Sequence, residues 1–243
     1  MNVLLLHEID FCSPLNMASD NIARVSDYRF EHLVRVMKVK TDDNVKVGLL
    51  NGNLGEAKVE VVTHTHIDLS LTHLNDAPPA QLPLTLLLAL PRPKMLQRTL
   101  QTIATMGVSE LILIHTDRVE KSFWQTPALS PSNIQRHFIL GAEQARATQL
   151  PQLQTWQGKG ALWENLPELM QNKQGFVAHP GDFPKISSVS KDKHTVMAIG
   201  PEGGFTESEC ARFIKCDFTP VQLGTRILRV ETAVPVIISK LYE

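Results

Sequence analysis

Thr195-Val196-Met197-Ala198-Ile199-Gly200-Pro201-Glu202-Gly203-Gly204-Phe205-Thr206-Glu207-Ser208-Glu209 is the stretch on which the fold turns. Thr195–Ile199 reads as a strand, the glycine-rich run breaks it, and Thr206 with Glu209 has the spacing of a capping box that opens a helix. Strand, glycine loop and capped helix together are the βα step of an α/β protein. Downstream, a strand is predicted at Phe218–Leu223 and a helix from about Arg229 to Leu241. Upstream, Phe176–His179 and Gln152–Thr155 read as strands. Ala161–Met170 reads as a helix in spite of Pro167, and Ser130-Pro131 opens another with Ile134, Phe138 and Ala145 on its buried side. Leu84–Leu90 is a continuous apolar run, as in a strand buried on both faces, and Glu110–Ile114 is a second. Between them Pro93 takes the first helical position, Leu96, Leu100 and Ile103 share one face, and Gly107 ends the helix. Alternating strands and helices predict a mostly parallel sheet covered on both sides.

The first 75 or so residues follow a different pattern. Asn51-Gly52-Asn53 marks a turn, and Glu56–Leu74 alternates polar and apolar residues for much of its length. No crossover helix is evident, so a small antiparallel barrel is predicted. Asn75–Gln81, polar and proline-bearing, is the linker. The expected division is a barrel over 1–74 and an α/β domain over 82–243.

Composition sets limits on function. The 243 residues are 43% hydrophobic and 20% charged, with formal net charge −1. That balance announces no bulk nucleic-acid binder, so RNA contacts would rest on local clusters: Arg35, Lys38 and Lys40, and Arg92, Lys94 and Arg98. Val3–Leu6 is too short for a signal peptide or a membrane span. Three cysteines without a CxxC pair point to a reducing compartment, the cytoplasm, and away from disulfides and zinc. His64, His66 and His73 lack a carboxylate or cysteine partner at ligand spacing and read as surface residues, so no metal is expected. Trp124, Trp156 and Trp163 are too widely spread for a stacking platform.

Ligands of an open parallel sheet bind beyond the carboxyl ends of its strands. Three stretches fall there: Ala178-His179-Pro180-Gly181, Ile199–Gly204, and Leu223-Gly224-Thr225-Arg226-Ile227-Leu228-Arg229. The middle one carries neither GxGxxG nor a GKS/GKT phosphate loop. By itself it is either a well-capped turn or a loop whose backbone groups hold a ligand.

Taken together, four stretches resemble the RsmE family of ribosomal RNA methyltransferases, of the SPOUT superfamily. They are His32–Lys38 (HLVRVMK), Gly141–Gln144 (GAEQ), Ile199–Phe205 (IGPEGGF) and Leu223–Ala233 (LGTRILRVETA), in that order along nearly the whole chain. The resemblance implies an N-terminal PUA-like β-barrel for RNA and a C-terminal α/β domain with a deep trefoil knot. It implies a homodimer whose sites are completed across the interface, and S-adenosyl-L-methionine as methyl donor. The donor would lie against Ala178, His179 and Pro180, against Ile199, Gly200, Pro201, Gly203 and Gly204, and against Leu223, Gly224, Ile227, Leu228 and Thr232. The implied reaction forms 3-methyluridine in 16S ribosomal RNA, with Arg35, Lys38, Arg92, Lys94 and Arg98 as RNA contacts.

Methylating a uracil ring nitrogen requires that nitrogen to lose a proton between two carbonyls. Arg229 is the candidate for stabilising the resulting negative charge, because a guanidinium donates hydrogen bonds and does not act as a base at neutral pH. Glu202 and Glu231 are candidate bases or orienters. Glu231 equally suits stabilisation of a helix N-terminus. His179 is either a ligand-loop residue or a strand-end histidine. The chain departs from the family pattern at Thr102 and Thr105, where a Lys and a Glu are usual. It departs again at Ala145-Arg146-Ala147, where Ser-Gly-Arg is common, and at Val230, where a Thr is usual. The donor loops are kept and the acceptor side is altered. Two alternatives therefore stand beside the main reading: a non-catalytic RNA-binding or ribosome-assembly factor, and methylation of a different RNA. A nucleotide-dependent enzyme of the ordinary doubly wound type is disfavoured by the missing phosphate motifs.

Overall fold

The computed structural model describes residues 2–12, 21–158, 160–189 and 193–242. Contacts divide the chain into two compact units, Met1–Ala80 with Ala142–Leu150, and Gln81–Gly141 with Pro151–Glu243.

In the first unit, β1 (Leu4–Leu6), β2 (Ile22–Val25), β3 (Asn44–Leu49), β4 (Leu54–Val62) and β5 (Ile67–Asp76) form one sheet of order β1-β3-β4-β5-β2. Alternation does the sorting: Ala57 and Val59 on β4, Ile67 and Leu69 on β5, and Val45 and Val47 on β3 turn into one core with Leu4, Leu6 and Leu33. The expectation of a wholly antiparallel sheet is corrected at one pair. β1 runs parallel to β3, Leu4 opposite Val47 and Leu6 opposite Leu49. The chain between them, which carries β2 and the short helix α1 (Tyr28–His32), is long enough for a parallel crossover. Phe11 bridges Ala23 of β2, tying the segment after β1 to the opposite end of the sheet. β5 also runs two residues into the predicted linker, because Asp76 pairs with Leu54.

Two buried ionisable side chains organise this unit. Arg29 donates from Nη1 and Nη2 to the Asp10 carboxylate at 2.7 and 2.8 Å, from Nε to Asp27 at 2.9 Å, and from Nη1 to the Leu5 carbonyl at 2.8 Å. Burial works against its charge, but the hydrogen bonds it donates to Asp10 and Asp27 prevail and hold the guanidinium above its ordinary range. Glu143, 1% exposed, accepts the Leu5 N–H at 3.1 Å, and its backbone carbonyl accepts the N–H groups of Asn2 and Val3. The segment 142–150 therefore packs with the first unit, although its neighbours in sequence belong to the second.

The second unit is a six-stranded, wholly parallel sheet. Its strands are β6 (Leu82–Ala89), β7 (Val108–Ile114), β8 (Gln152–Trp156), β9 (Gln174–Ala178), β10 (Thr195–Ile199) and β11 (Phe218–Val221), in the order β11-β9-β10-β6-β7-β8. Central strands β6 and β10 are buried nearly end to end, as two-sided burial requires. α2 (Pro93–Thr105) starts on Pro93 and buries Leu96, Leu100 and Ile103. α3 (Pro131–Ala145) buries Ile134 and Phe138, while Ala145 is only half-buried. α3 meets α2 at Gly141, where an added Cβ would stand 2.3 Å from the Gln101 carbonyl oxygen; only a glycine allows that approach. α4 (Ala161–Leu169), α5 (Glu207–Lys215) and α6 (Val230–Tyr242) complete the unit, α4 accommodating Pro167 near its end. Among the described residues no helix is long and apolar enough to cross a membrane.

Candidate active site

β11, β9 and β10 are neighbours, so the loops that leave their carboxyl ends meet. They enclose a cavity of about 390 Å³ lined by Ala178–Gly181, Ile199–Gly204 and Gln222–Leu228, with Val230 and Ala233 of α6. Small-molecule sites run from roughly 300 to 1,000 Å³. Of the predicted donor residues, Ala178, His179, Pro180, Ile199, Gly200, Pro201, Gly203, Gly204, Leu223, Gly224, Ile227 and Leu228 all line it. Thr232 does not, nor do Arg229 and Glu231. α6 turns Val230 and Ala233, three residues apart, toward the cavity, and the residues between them face elsewhere. Gln222 lines the cavity from outside the stretches named in the sequence, and Thr225 and Arg226 line it from within one of them. The first of these is placed by pairing that local sequence does not reveal: Gln222 donates to Pro184 and accepts from Ile186.

The middle loop is built to double back. Gly204 N–H donates to the Pro201 carbonyl at 2.8 Å, closing a turn. An added Cβ on Gly200 would lie 2.9 Å from the Phe205 nitrogen and 3.0 Å from the Gly204 carbonyl carbon, so this glycine is demanded by the turn itself. Gly204 (φ +71) and Gly224 (φ +137) are different: a Cβ at either would meet no protein atom within 4 Å. Both border the cavity and leave backbone open to an occupant.

Four side chains pin the loops. Thr206 caps α5, accepting from the Glu209 N–H at 3.2 Å, while the Glu209 carboxylate accepts from Thr206 N at 2.7 Å and from Asp117 N at 2.8 Å. The capping box read from sequence thus also secures the chain beyond β7. Arg118 donates to the Gly203 carbonyl, a brace that sequence reading missed. Glu202 accepts the Arg92 N–H at 3.1 Å, joining the loop to the start of α2. His179 closes the third side. Its N–H donates to the Val221 carbonyl at 3.0 Å, and its Nδ1 lies 3.3 Å from the Cys210 sulfur. Burial raises the Cys210 thiol, followed by the nearby Glu209 charge, so the sulfur keeps its proton.

The other predicted residues fall into place without joining the cavity. Arg92, Lys94 and Arg98 are exposed on the first turns of α2, and Arg35 and Lys38 are exposed on the first unit. His66 bonds to Thr63 and Thr65, and His73 lies 3.3 Å from Asp76. Trp124 donates to His115 Nδ1, and Trp163 packs edge-on against Phe213 beneath the Arg212 guanidinium. Thr102 and Thr105 spend their hydroxyls on the backbone carbonyls of Arg98 and Gly141.

Fold and cavity define an α/β protein with a cavity, lined largely by loop backbone, at the carboxyl edge of a parallel sheet. A family model of the RNA methyltransferase domain matches residues 78–242, and one of the RNA methyltransferase PUA domain matches residues 25–72. The chain belongs to the RNA methyltransferase family. Ribosomal RNA small subunit methyltransferase E of Treponema pallidum is 28% identical over 221 residues, 85% of this chain and 79% of that protein. Ribosomal RNA small subunit methyltransferase E 1 of Borreliella burgdorferi is 25% identical over 239 residues, 96% of this chain and 94% of that one. Two solved structures share the fold. One is the small subunit methyltransferase E of Neisseria gonorrhoeae bound to S-adenosylmethionine (TM-score 0.74, 20% identity, 98% of this chain and 95% of that one). The other is a Legionella pneumophila methyltransferase in complex with the same cofactor (TM-score 0.80, 19% identity, 99% and 97%). The architecture is accordingly the α/β domain of an RNA methyltransferase with an N-terminal PUA domain.

Proposed function

We propose that this chain methylates N3 of a uridine in 16S ribosomal RNA with S-adenosyl-L-methionine held in the cavity beyond β9, β10 and β11. The observation that carries the reading is the convergence of three loops on one backbone-lined cavity in a chain of the RNA methyltransferase family. Its residues suit the cofactor. Ile199, Leu223, Leu228, Val230 and Ala233 offer apolar surface for an adenine, and the open backbone at Gly204 and Gly224 offers amide and carbonyl groups to its edges. Phosphate-binding motifs are absent, as a donor without phosphate requires. When bound, S-adenosylmethionine supplies an electrophilic methyl group.

The chain's own residues have three tasks. The loops exclude water and fix the direction of approach. Arg229, exposed at the start of α6, donates to the uracil carbonyl on which negative charge collects as N3 loses its proton. Glu202, whose carboxylate lies at the cavity and is anchored on the Arg92 N–H, is the favoured proton acceptor; Glu231 in the first turn of α6 stabilises that helix end. The same proposal includes the deep trefoil knot, a homodimer that completes each site, and a cytoplasmic location. Arg35, Lys38, Arg92, Lys94 and Arg98 contact RNA.

A second reading, methylation of a different RNA, is favoured by Thr102 and Thr105, which present hydroxyls bound to helix carbonyls where charged residues are usual. The test is mass-spectrometric mapping of modified nucleosides in RNA from cells with and without the gene, beside calorimetry of cofactor binding. Loss of one 3-methyluridine from 16S RNA is expected. Loss of a mark elsewhere selects the second reading. A folded dimer that binds no cofactor overturns both and leaves an RNA-binding factor.

A further inference from the structure

The first unit holds a second cavity, of about 290 Å³, to which no role has been given. Leu4, Leu33 and Met37 form apolar wall, and Asn2, Asn44 and Lys46 supply its polar rim. We infer that it binds one unpaired nucleotide of the RNA substrate, base against the apolar wall and phosphate beside Lys46. This rests on the reading of the chain as an enzyme acting on RNA.

The chemistry of the lining selects the occupant. A nucleobase has two apolar faces and a polar edge. Met37 offers a polarizable thioether to such a face, and Leu33 backs it from the core. Asn44 has a side-chain amide with no hydrogen-bond partner among the described residues, so both a donor and an acceptor are available to a base edge. Asn2 spends its Nδ2 on the Gln144 carbonyl at 2.7 Å and keeps its Oδ1. The volume lies at the lower edge of small-molecule sites, enough for one nucleoside. A duplex keeps its bases stacked inside and cannot insert one, so the ligand is a single strand.

Charge points the same way. Three cations of this unit are neutralised: Lys58 by Asp42 at 2.7 Å, Arg24 by Asp68 at 2.8 Å, Arg29 by Asp10 and Asp27. Lys46, Lys38 and Arg35 have no such partner among the described residues. Lys38 adjoins Met37 directly, and Arg35 lies on the same π-helical turn, Leu33–Met37. That turn exposes Val36 (65%) and Met37 (46%) between its two basic residues. It ends on Lys38 at φ +55, a left-handed conformation that costs a non-glycine residue energy and gathers at functional sites. Apolar side chains interleaved with unpaired cations match a strand with splayed bases and a charged backbone.

The test uses the full chain and a single-stranded RNA of about 12 nucleotides carrying 4-thiouridine. After irradiation, cross-linked peptides should contain Met37 or Asn44, and the same sequence as a duplex should cross-link there much less. Asn44→Ala and Lys46→Glu should each weaken single-strand binding about tenfold, with an unchanged circular dichroism spectrum and unchanged cofactor affinity. Lys46→Glu should also flatten the salt dependence by about 0.7 in the log–log slope, which a merely structural role would leave alone. Cross-links elsewhere, with both variants binding like the parent, overturn the pocket. Methyl transfer to cellular RNA by the same preparations would then leave the enzymatic reading standing. No RNA binding and no transfer overturns both.

Discussion

Replacing Glu143 by glutamine should remove a pH dependence that is built into the first unit. The carboxyl is buried behind β1, where loss of solvent raises its pKa from 4.5 to about 7, against the opposing pull of the Leu5 N–H and the Arg29 charge. The native form therefore holds its proton over an interval in which the unfolded chain has released it. Native protein binds more protons there, and stability falls as pH rises. This contribution is complete below about pH 4.5 and is lost as pH passes about 7. Each tenfold difference in proton affinity is worth about 1.4 kcal/mol, so the loss amounts to roughly 3 kcal/mol. Glutamine keeps an oxygen for the Leu5 N–H and places its amide where Oε2 already lacks a hydrogen-bond partner among the described residues. It should cost little at pH 4.5 and stabilise by roughly 3 kcal/mol at pH 8. Urea denaturation across that range, read by hydrogen-exchange protection of the β1 amides, reports on the unit that carries Glu143. Parallel stability curves for parent and variant, or a parent more stable at pH 8, would refute the reasoning.

Three further outcomes are expected. Gly200→Ala sets a methyl 2.9 Å from the Phe205 nitrogen and must unseat the middle loop; calorimetry should show cofactor affinity reduced at least tenfold, by roughly 1.4 kcal/mol or more. Glu209→Ala removes the carboxylate half of the α5 capping box and the acceptor of the Asp117 N–H, a loss of about 1–2 kcal/mol that tryptophan fluorescence during denaturant unfolding will register near Trp163. Arg229→Ala should lower kcat by roughly 10²–10³ while leaving cofactor affinity intact, since Arg229 is outside the cavity lining; an equal loss in both would assign it to donor binding instead.

The βα rhythm was legible because it depends on local chemistry. Pro93 at a helix start, Thr206 with Glu209 at another, and the apolar run of β6 each state their role within a few residues. The loops that line the cavity were legible as loops for the same reason, each being a short glycine-bearing break after a strand. Arg118, Gln222 and Ala233 were not. What brings them to the cavity is the strand order β11-β9-β10 and the rotation of α6, neither of which leaves a local mark. The parallel β1–β3 pair and the transfer of segment 142–150 to the first unit were hidden likewise, because long-range pairing is chosen by which apolar faces can be buried together.

Sequence by itself determined the elements, the α/β character of residues beyond the linker, and, through the joint presence of Ile199–Phe205 and Leu223–Ala233, the family. Only the tertiary structure decided which of those residues share a cavity. A helix turns about 100° per residue, so neighbours in one motif, Val230 and Arg229, take opposite assignments. A carboxylate's proton affinity depends on what surrounds it in space, and for Glu143 those surroundings, Leu5 and Arg29, come from more than a hundred residues away.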